Sequence, residues 1–118
     1  QTGLKVLVAE DNKVNQKLIS RILSTFGVLS EIAEDGLKVI EAYKEGDFDI
    51  IFMDIHMPNL DGLSAARIIL DSDPHAIIWG LSADVIKETQ DELVKIGMLG
   101  MIHKPFKPID IKRVLSQL

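Results

Sequence analysis

Short apolar runs alternate along the chain with longer stretches in which apolar residues recur every three or four positions. Lys5–Ala9 (KVLVA) reads as a strand. Val14 to Phe26 carries Val14, Leu18 and Ile22 on one helical row and Ile19, Leu23 and Phe26 on another. Asp11 or Asn12 can cap that helix, and Gly27 ends it. Leu29–Ala33 is a more polar strand, suited to a sheet edge, and Gly36–Glu45 is a helix closed by Gly46. Asp49–Met53 (DIIFM) is almost wholly apolar, as a central strand covered on both faces must be. Pro58 and Asp61-Gly62 predict a turn-rich loop before a short helix over Ser64–Leu70, which Asp73-Pro74 breaks. Ala76–Leu81 reads as a second buried strand, Lys87–Ile96 as a helix stopped by Gly97, and Gly100–His103 as a last short strand. Pro108 suits the first turn of a final helix bearing Ile111, Val114, Leu115 and Leu118.

Strands in strict alternation with helices are joined by crossovers, and crossovers make parallel sheets. Nearly continuous apolar strands leave no wet face, so helices must cover both. The expected fold is a doubly wound α/β sheet of five parallel strands with five helices. Periodicity leaves the strand order open; the flavodoxin-like order 2-1-3-4-5 is one of two common choices.

Length and composition narrow this further. At 118 residues the chain is expected to be a single domain over 1–118, with no room for an effector module beside it. A net charge of −5, from 13 basic and 18 acidic residues, argues against a nucleic-acid surface. The absence of cysteine excludes disulfides, thiolate nucleophiles and Cys-ligated zinc, and fits a reducing compartment. Apolar runs are too short to span a bilayer and no signal-peptide pattern is visible, so a cytoplasmic location without direct membrane contact is expected.

Ligands of such sheets bind beyond the carboxyl ends of the strands. The first strand is followed by Glu10-Asp11, the third by Asp54, the fourth by Ser82 and the fifth by Lys104-Pro105. Each has a plain reading alone: a helix cap for the acidic pair, a turn for Asp54, a cap for Ser82, a surface charge for Lys104. His56, His75 and His103 are too scattered for a ligand set and are expected to be exposed. The conjunction carries more. At an effective dielectric near 20, carboxylates about 4–5 Å apart repel by roughly 3–4 kcal/mol per pair, so Glu10, Asp11 and Asp54 together call for a cation or for displaced pKa values. Oxygen-only ligands in an open site suit Mg²⁺, and the lack of His or Cys in the cluster disfavours zinc. A carboxylate beside such an ion can accept a phosphoryl group, with Lys104 and the Ser82 hydroxyl available for its oxygens.

These residues resemble the receiver domain of two-component response regulators over essentially the whole chain. The resemblance rests on VLVAEDN (Val6–Asn12), MDIHMPNLDG (Met53–Gly62), LSA (Leu81–Ala83) and KPF (Lys104–Phe106). It implies Asp54 as phosphoacceptor, and Glu10, Asp11, Asp54 and the backbone carbonyl of His56 around Mg²⁺. It also implies Ser82 as switch hydroxyl, Lys104 as the phosphate-binding lysine and a cis Lys104–Pro105 bond. Such a domain would catalyse its own aspartyl phosphorylation and dephosphorylation, with His56 and Asp84 tuning the hydrolysis. The implied partners are a histidine kinase or a histidine phosphotransfer domain, the latter docking on the first helix around Val14 and Leu18. Roughly Lys87 to Leu118 would form the output surface, and a homodimer is left open.

Three positions depart from the family pattern. Met101 stands where a Tyr or Phe switch is usual, Trp79 stands beside Gly80 where an aliphatic residue is usual, and Ser82 replaces the commoner Thr. For Trp79 a large-for-small compensation in the core is expected. The segment AEDNKVNQK (Ala9–Lys17) looks most like receivers attached to hybrid histidine kinases, and the start at Gln1 without Met is expected of a domain cut from a longer polypeptide. Competing readings are a stand-alone single-domain regulator and an interaction module that works without phosphorylation, for which Met101 leaves room. A flavin-binding domain of similar topology is disfavoured, because the loop after the first strand is acidic and lacks a Ser/Thr/Gly-rich phosphate cradle.

Overall fold

The computed structural model describes residues 4–83 and 87–118. Strands β1 (Lys5–Ala9), β2 (Leu29–Ala33), β3 (Ile50–Asp54), β4 (Ile78–Ser82) and β5 (Gly100–His103) alternate with helices α1 (Lys13–Thr25), α2 (Gly36–Glu45), α3 (Gly62–Ser72), α4 (Lys87–Ile96) and α5 (Pro108–Leu115). The strands form one parallel sheet in the order β2-β1-β3-β4-β5. Periodicity left two orders open, and the flavodoxin-like one is present. Its consequence is that β1 and β3, which lead into Glu10 and Asp54, lie side by side.

Alternation along the strands divides the core in two. Val6 and Val8 of β1 and Ile50 and Phe52 of β3 pack with Ile19 and Leu23 of α1 and Ile111 and Val114 of α5. Leu7 of β1 and Ile51 and Met53 of β3 point to the other face, against Val39 of α2, Ala65 and Ile69 of α3, and Leu93 of α4. Every residue of β3 is buried, so each of its large side chains contributes roughly 1.5–3 kcal/mol of apolar transfer. β2 lies at the sheet edge, and most of its positions are exposed.

Element ends differ from expectation in ways that bear on the site. β3 runs to Asp54 instead of stopping at Met53, because Asp54 pairs with Leu81 and the next amide, Ile55 N, donates to Leu81 O at 3.1 Å. Its start loses Asp49, whose side chain accepts from Lys5 N at 2.8 Å. β4 similarly shifts from 76–81 to Ile78–Ser82, with Ser82 paired to His103. The third helix begins at Gly62 rather than Ser64 and ends at Ser72 rather than Leu70. Asp61, read as a turn residue, is its N-cap, the carboxylate accepting from Ser64 N at 2.8 Å. Turn and cap chemistry use the same short acceptor side chains, so composition alone does not separate them. Asn12, not Asp11, caps α1.

The large-for-small compensation at Trp79 involves a different glycine from the one expected. Trp79 pairs in register with Gly100, and a Cβ on Gly100 would come within 2.6 Å of the indole ring. Gly80 instead faces Met98 and Ile55 on the opposite side of the sheet. Strand alternation separates sequence neighbours onto opposite faces and brings cross-strand partners together. Among the described residues, no helix is long and apolar enough to cross a membrane.

Candidate functional site

The carboxyl edge of the sheet gathers the predicted residues. Glu10 follows β1 and is anchored by its own amide, which donates to Ala33 O of β2 at 3.0 Å. Its carbonyl accepts from Gln16 Nε2 of α1 at 2.7 Å, so the residue is held between strand and helix. The side chain is fully buried. Glu10 Oε2 accepts from Asn12 N at 3.1 Å. Oε1 lies 2.9 Å from Lys104 Nζ but out of hydrogen-bond alignment, so this buried oxygen has an ion-pair neighbour and no hydrogen bond.

Asp54, the last residue of β3, is also buried. Its Oδ1 accepts from His56 N at 3.1 Å and its Oδ2 from Lys104 Nζ at 3.2 Å. Lys104 leaves β5 through a cis bond to Pro105. Its amide donates to Ser82 O at 2.8 Å, which fixes the root of the side chain beside the end of β4. The ammonium is 17% exposed and stands between two buried carboxylates, so it is neither a surface charge nor an isolated buried one. Ser82 is itself buried at the end of β4. Asp11 is exposed, yet one oxygen of each of Glu10, Asp11 and Asp54 lies within 4.8 Å of the others.

The electrostatics follow from this packing. Burial pushes the Glu10 carboxyl up from 4.5 to about 7, and neighbouring Asp54 adds to that, against the opposing pull of Lys104. Burial works to lower the Lys104 ammonium, but contact with Glu10 and Asp54 outweighs it and the pKa is raised. One ammonium serves two buried carboxylates and leaves Glu10 partly protonated near neutrality. A divalent cation among the three acidic residues would meet the oxygen without a hydrogen bond and favour the ionised form of Glu10. The donors are all oxygens on short side chains, and Asp11 opens to solvent, which fits a hard ion that keeps some of its water.

Thus Glu10, Asp54 and Lys104 are brought into contact, Asp11 joins them at the rim, and Ser82 lines the adjacent strand end. His56 is exposed, as are His75 and His103, and its amide contributes to the site by donating to Asp54. Met101 packs, partly buried, on the core face shared by α2, α3 and α4. Asp84 lies outside the described residues. Val14 and Leu18 are 73% and 37% exposed on α1. Two residues went unassigned in the sequence. Asp35 and Asn59 join the start of α2 to the loop after β3 through an Asn59 Nδ2–Asp35 Oδ2 hydrogen bond of 2.9 Å. The sequence marked Asp35 by its position with Glu34 after the second strand and ahead of Gly36 at a helix start.

Comparison with known proteins bears on the family and the fold. The family model for the response regulator receiver domain matches residues 6–116. Histidine kinase 3 of Arabidopsis thaliana is 33% identical over 98% of this chain, which covers 13% of that protein. Across the first three curated relatives the chain spans only 6–13% of their length. The receiver domain of a sensor histidine kinase from Pseudomonas aeruginosa, solved with magnesium coordinated in its active site cleft, superposes with a TM-score of 0.90. It is 30% identical, covering 98% of this chain and 97% of that one. A co-crystal structure of the Saccharomyces cerevisiae histidine phosphotransfer protein Ypd1 with the receiver domain of Ssk1 matches at TM-score 0.90 and 25% identity, covering 97% and 87%. The match from residue 6 to residue 116 takes in every helix and, apart from Lys5, every strand described above, and the chain belongs to the response regulator receiver domain family.

Proposed function

We propose that the chain is a phosphoacceptor: Asp54 takes a phosphoryl group from a phosphohistidine, within a phosphorelay of the hybrid histidine kinase type. The observation that carries this is the set of three clustered carboxylates, two of them paired with Lys104, with a buried Glu10 oxygen that lacks a hydrogen bond. Glu10, Asp11, Asp54 and the carbonyl of His56 would hold Mg²⁺, which when bound neutralises charge on the phosphoryl oxygens.

The chain's own groups do the rest. An Asp54 carboxylate oxygen forms the new O–P bond as the donor's P–N bond breaks, and that bond's electron pair returns to the imidazole nitrogen. His56 N, already on Oδ1, holds the carboxylate's orientation. Lys104 reaches Asp54 Oδ2 and is placed to follow the charge onto a phosphoryl oxygen. Ser82, buried at the neighbouring strand end, supplies a hydroxyl donor. The acyl phosphate carries about two negative charges where the carboxylate carried one, and places them on new acceptor oxygens, which biases the neighbouring strand ends toward a second arrangement. The exposed Val14 and Leu18 on α1, which starts next to the acidic pair, are the surface proposed for a histidine phosphotransfer partner.

The test is a mass gain of one phosphoryl group from acetyl phosphate. The gain is expected only with Mg²⁺ present and is expected to be absent in Asp54→Asn. Labelling of Asp54→Asn at the wild-type rate would overturn the assignment.

A further inference from the structure

We infer that Asp35 and Asn59 form a positioning pair for the phosphoacceptor loop, holding residues 55–61 in the geometry that lets Asp54 react; the inference rests on the proposed role of Asp54.

The loop between β3 and α3 carries the His56 amide that donates to Asp54 Oδ1, and Ile55 N fixes its start on Leu81 O of β4. Gly62 N donates to Ile55 O at 2.9 Å and Leu60 N to Pro58 O at 2.7 Å, both within the segment. The side-chain bond that ties the loop to the start of α2 is Asn59 Nδ2 to Asp35 Oδ2. Asn59 also sits at φ +68°, a left-handed conformation that Asn adopts more readily than other residues with a side chain, and this conformation accompanies its bond to Asp35.

The acceptor is built for this task. Asp35 is 8% exposed, at the N-cap of α2. One oxygen, Oδ1, accepts from Lys38 N at 2.8 Å and secures the helix start. The other, Oδ2, is thereby left for Asn59. The next residue is Gly36, where a Cβ would collide with the Leu60 carbonyl oxygen, so the helix start and the loop are already in backbone contact. On its other side, β2 holds Glu10 through Ala33 O. The corner from Ala33 to Gly36 therefore touches both the segment carrying Glu10 and the segment following Asp54. A capping aspartate needs one oxygen for its helix; the second sets the loop.

Because the two oxygens have separate partners, the roles can be separated. Asp35→Asn keeps a carbonyl oxygen for Lys38 N, and Asn caps as well as Asp does. It places an amide opposite the Asn59 amide, donor against donor, so the loop bond is lost. Asn59→Gly removes the same bond from the other side, tolerates the positive φ and leaves the charge unchanged. Asp35→Asn combined with Asn59→Asp restores the bond with donor and acceptor exchanged, at the original net charge.

The measurement is the initial rate of phosphoryl labelling by acetyl phosphate at saturating Mg²⁺, with the donor varied to separate maximal rate from half-saturation, well below each variant's Tm. Both single variants are expected to lose about tenfold in maximal rate, the scale of a displaced reacting group, with donor half-saturation unchanged. The exchanged pair is expected to recover to within about twofold, as coupled partners do. A purely structural bond would lower Tm and leave the rate of the folded protein alone. Wild-type rates in either single variant overturn the pairing, as does an exchanged pair no faster than the singles. Failure of wild-type protein to be labelled at Asp54 removes the reading of Asp54 itself, and this inference with it.

Discussion

Raising the pH should destabilise the metal-free protein through one residue. Glu10 is fully buried, and its carboxyl titrates near 7 in the fold against 4.5 for the ordinary group. The folded state therefore holds the proton more tightly than the unfolded chain. Below about pH 4.5 both states are protonated and no penalty exists; above about 7 both are ionised and the penalty is complete. Stability is lost as pH rises between these values, the reverse of a salt-bridged surface carboxylate. The gap is worth roughly 3 kcal/mol. Other displaced groups lie outside this window. Asp35, held down by the Lys38 amide and Asn59, and Asp73, held down by the Tyr43 hydroxyl, contribute stability that is lost only as pH falls below the ordinary 3.8. Lys104, raised above 10.5, contributes stability that is lost only at alkaline pH.

Urea unfolding in EDTA, followed by far-UV circular dichroism at pH 4.5 and 8, measures the effect. At a urea dependence of about 1.5 kcal/mol per molar, the Glu10 contribution is a fall of about 2 M in midpoint. Comparison with Glu10→Gln isolates it, since other titrating groups are common to both proteins. Glu10→Gln should gain on wild type by that amount as pH rises. Mg²⁺ should recover part of the loss at pH 8 in wild type, because it binds the ionised form. A wild-type midpoint that runs parallel to that of Glu10→Gln across this range would refute the reasoning.

Two further outcomes are expected. Lys104→Met leaves Glu10 and Asp54 buried without their ammonium, and should destabilise the metal-free protein by about 3 kcal/mol, the lower end for a broken buried pair, because the ammonium keeps some exposure; Mg²⁺ should recover more stability in this variant than in wild type, measured by urea midpoints. Tyr43 is the chain's single tyrosine, and burial together with its 2.5 Å hydrogen bond to Asp73 Oδ2 pushes its phenol up to about 12. Absorbance at the phenolate band should show no ionisation near 10 in the folded protein, and Asp73→Asn should bring the midpoint down.

How far the site was legible depends on what kind of contact makes it. Strand ends are marked by a change from apolar to polar residues, so Glu10, Asp11, Asp54, Ser82 and Lys104 could be read from the chain. Asn59 and Asp35 could not, because a short polar residue in a loop looks the same whether it caps a helix, closes a turn or holds a distant segment. Asp61 shows the same ambiguity: it reads as a turn and acts as a cap. The helix rows in α1 were visible, but which row faces outward was not. Ile19 and Leu23 turn inward together with Ile22, while Val14 and Leu18 of Ile22's own row stay exposed, because the sheet covers only part of that row.

By itself the sequence determined the βα alternation, the contrast between the apolar central strands and the polar edge strand, and the identity of the charged groups, since all are properties of local periodicity and side-chain chemistry. The tertiary structure decided three things that local pattern cannot carry. It placed β1 beside β3, which put Glu10 next to Asp54. It brought Lys104 in from β5 to neutralise part of both, across 50 residues of chain from Asp54. And it excluded water from the Glu10 carboxyl, so that a residue ordinary in sequence titrates near 7. Strand order and desolvation arise from packing distant segments together, and each exists only once the chain has closed on itself.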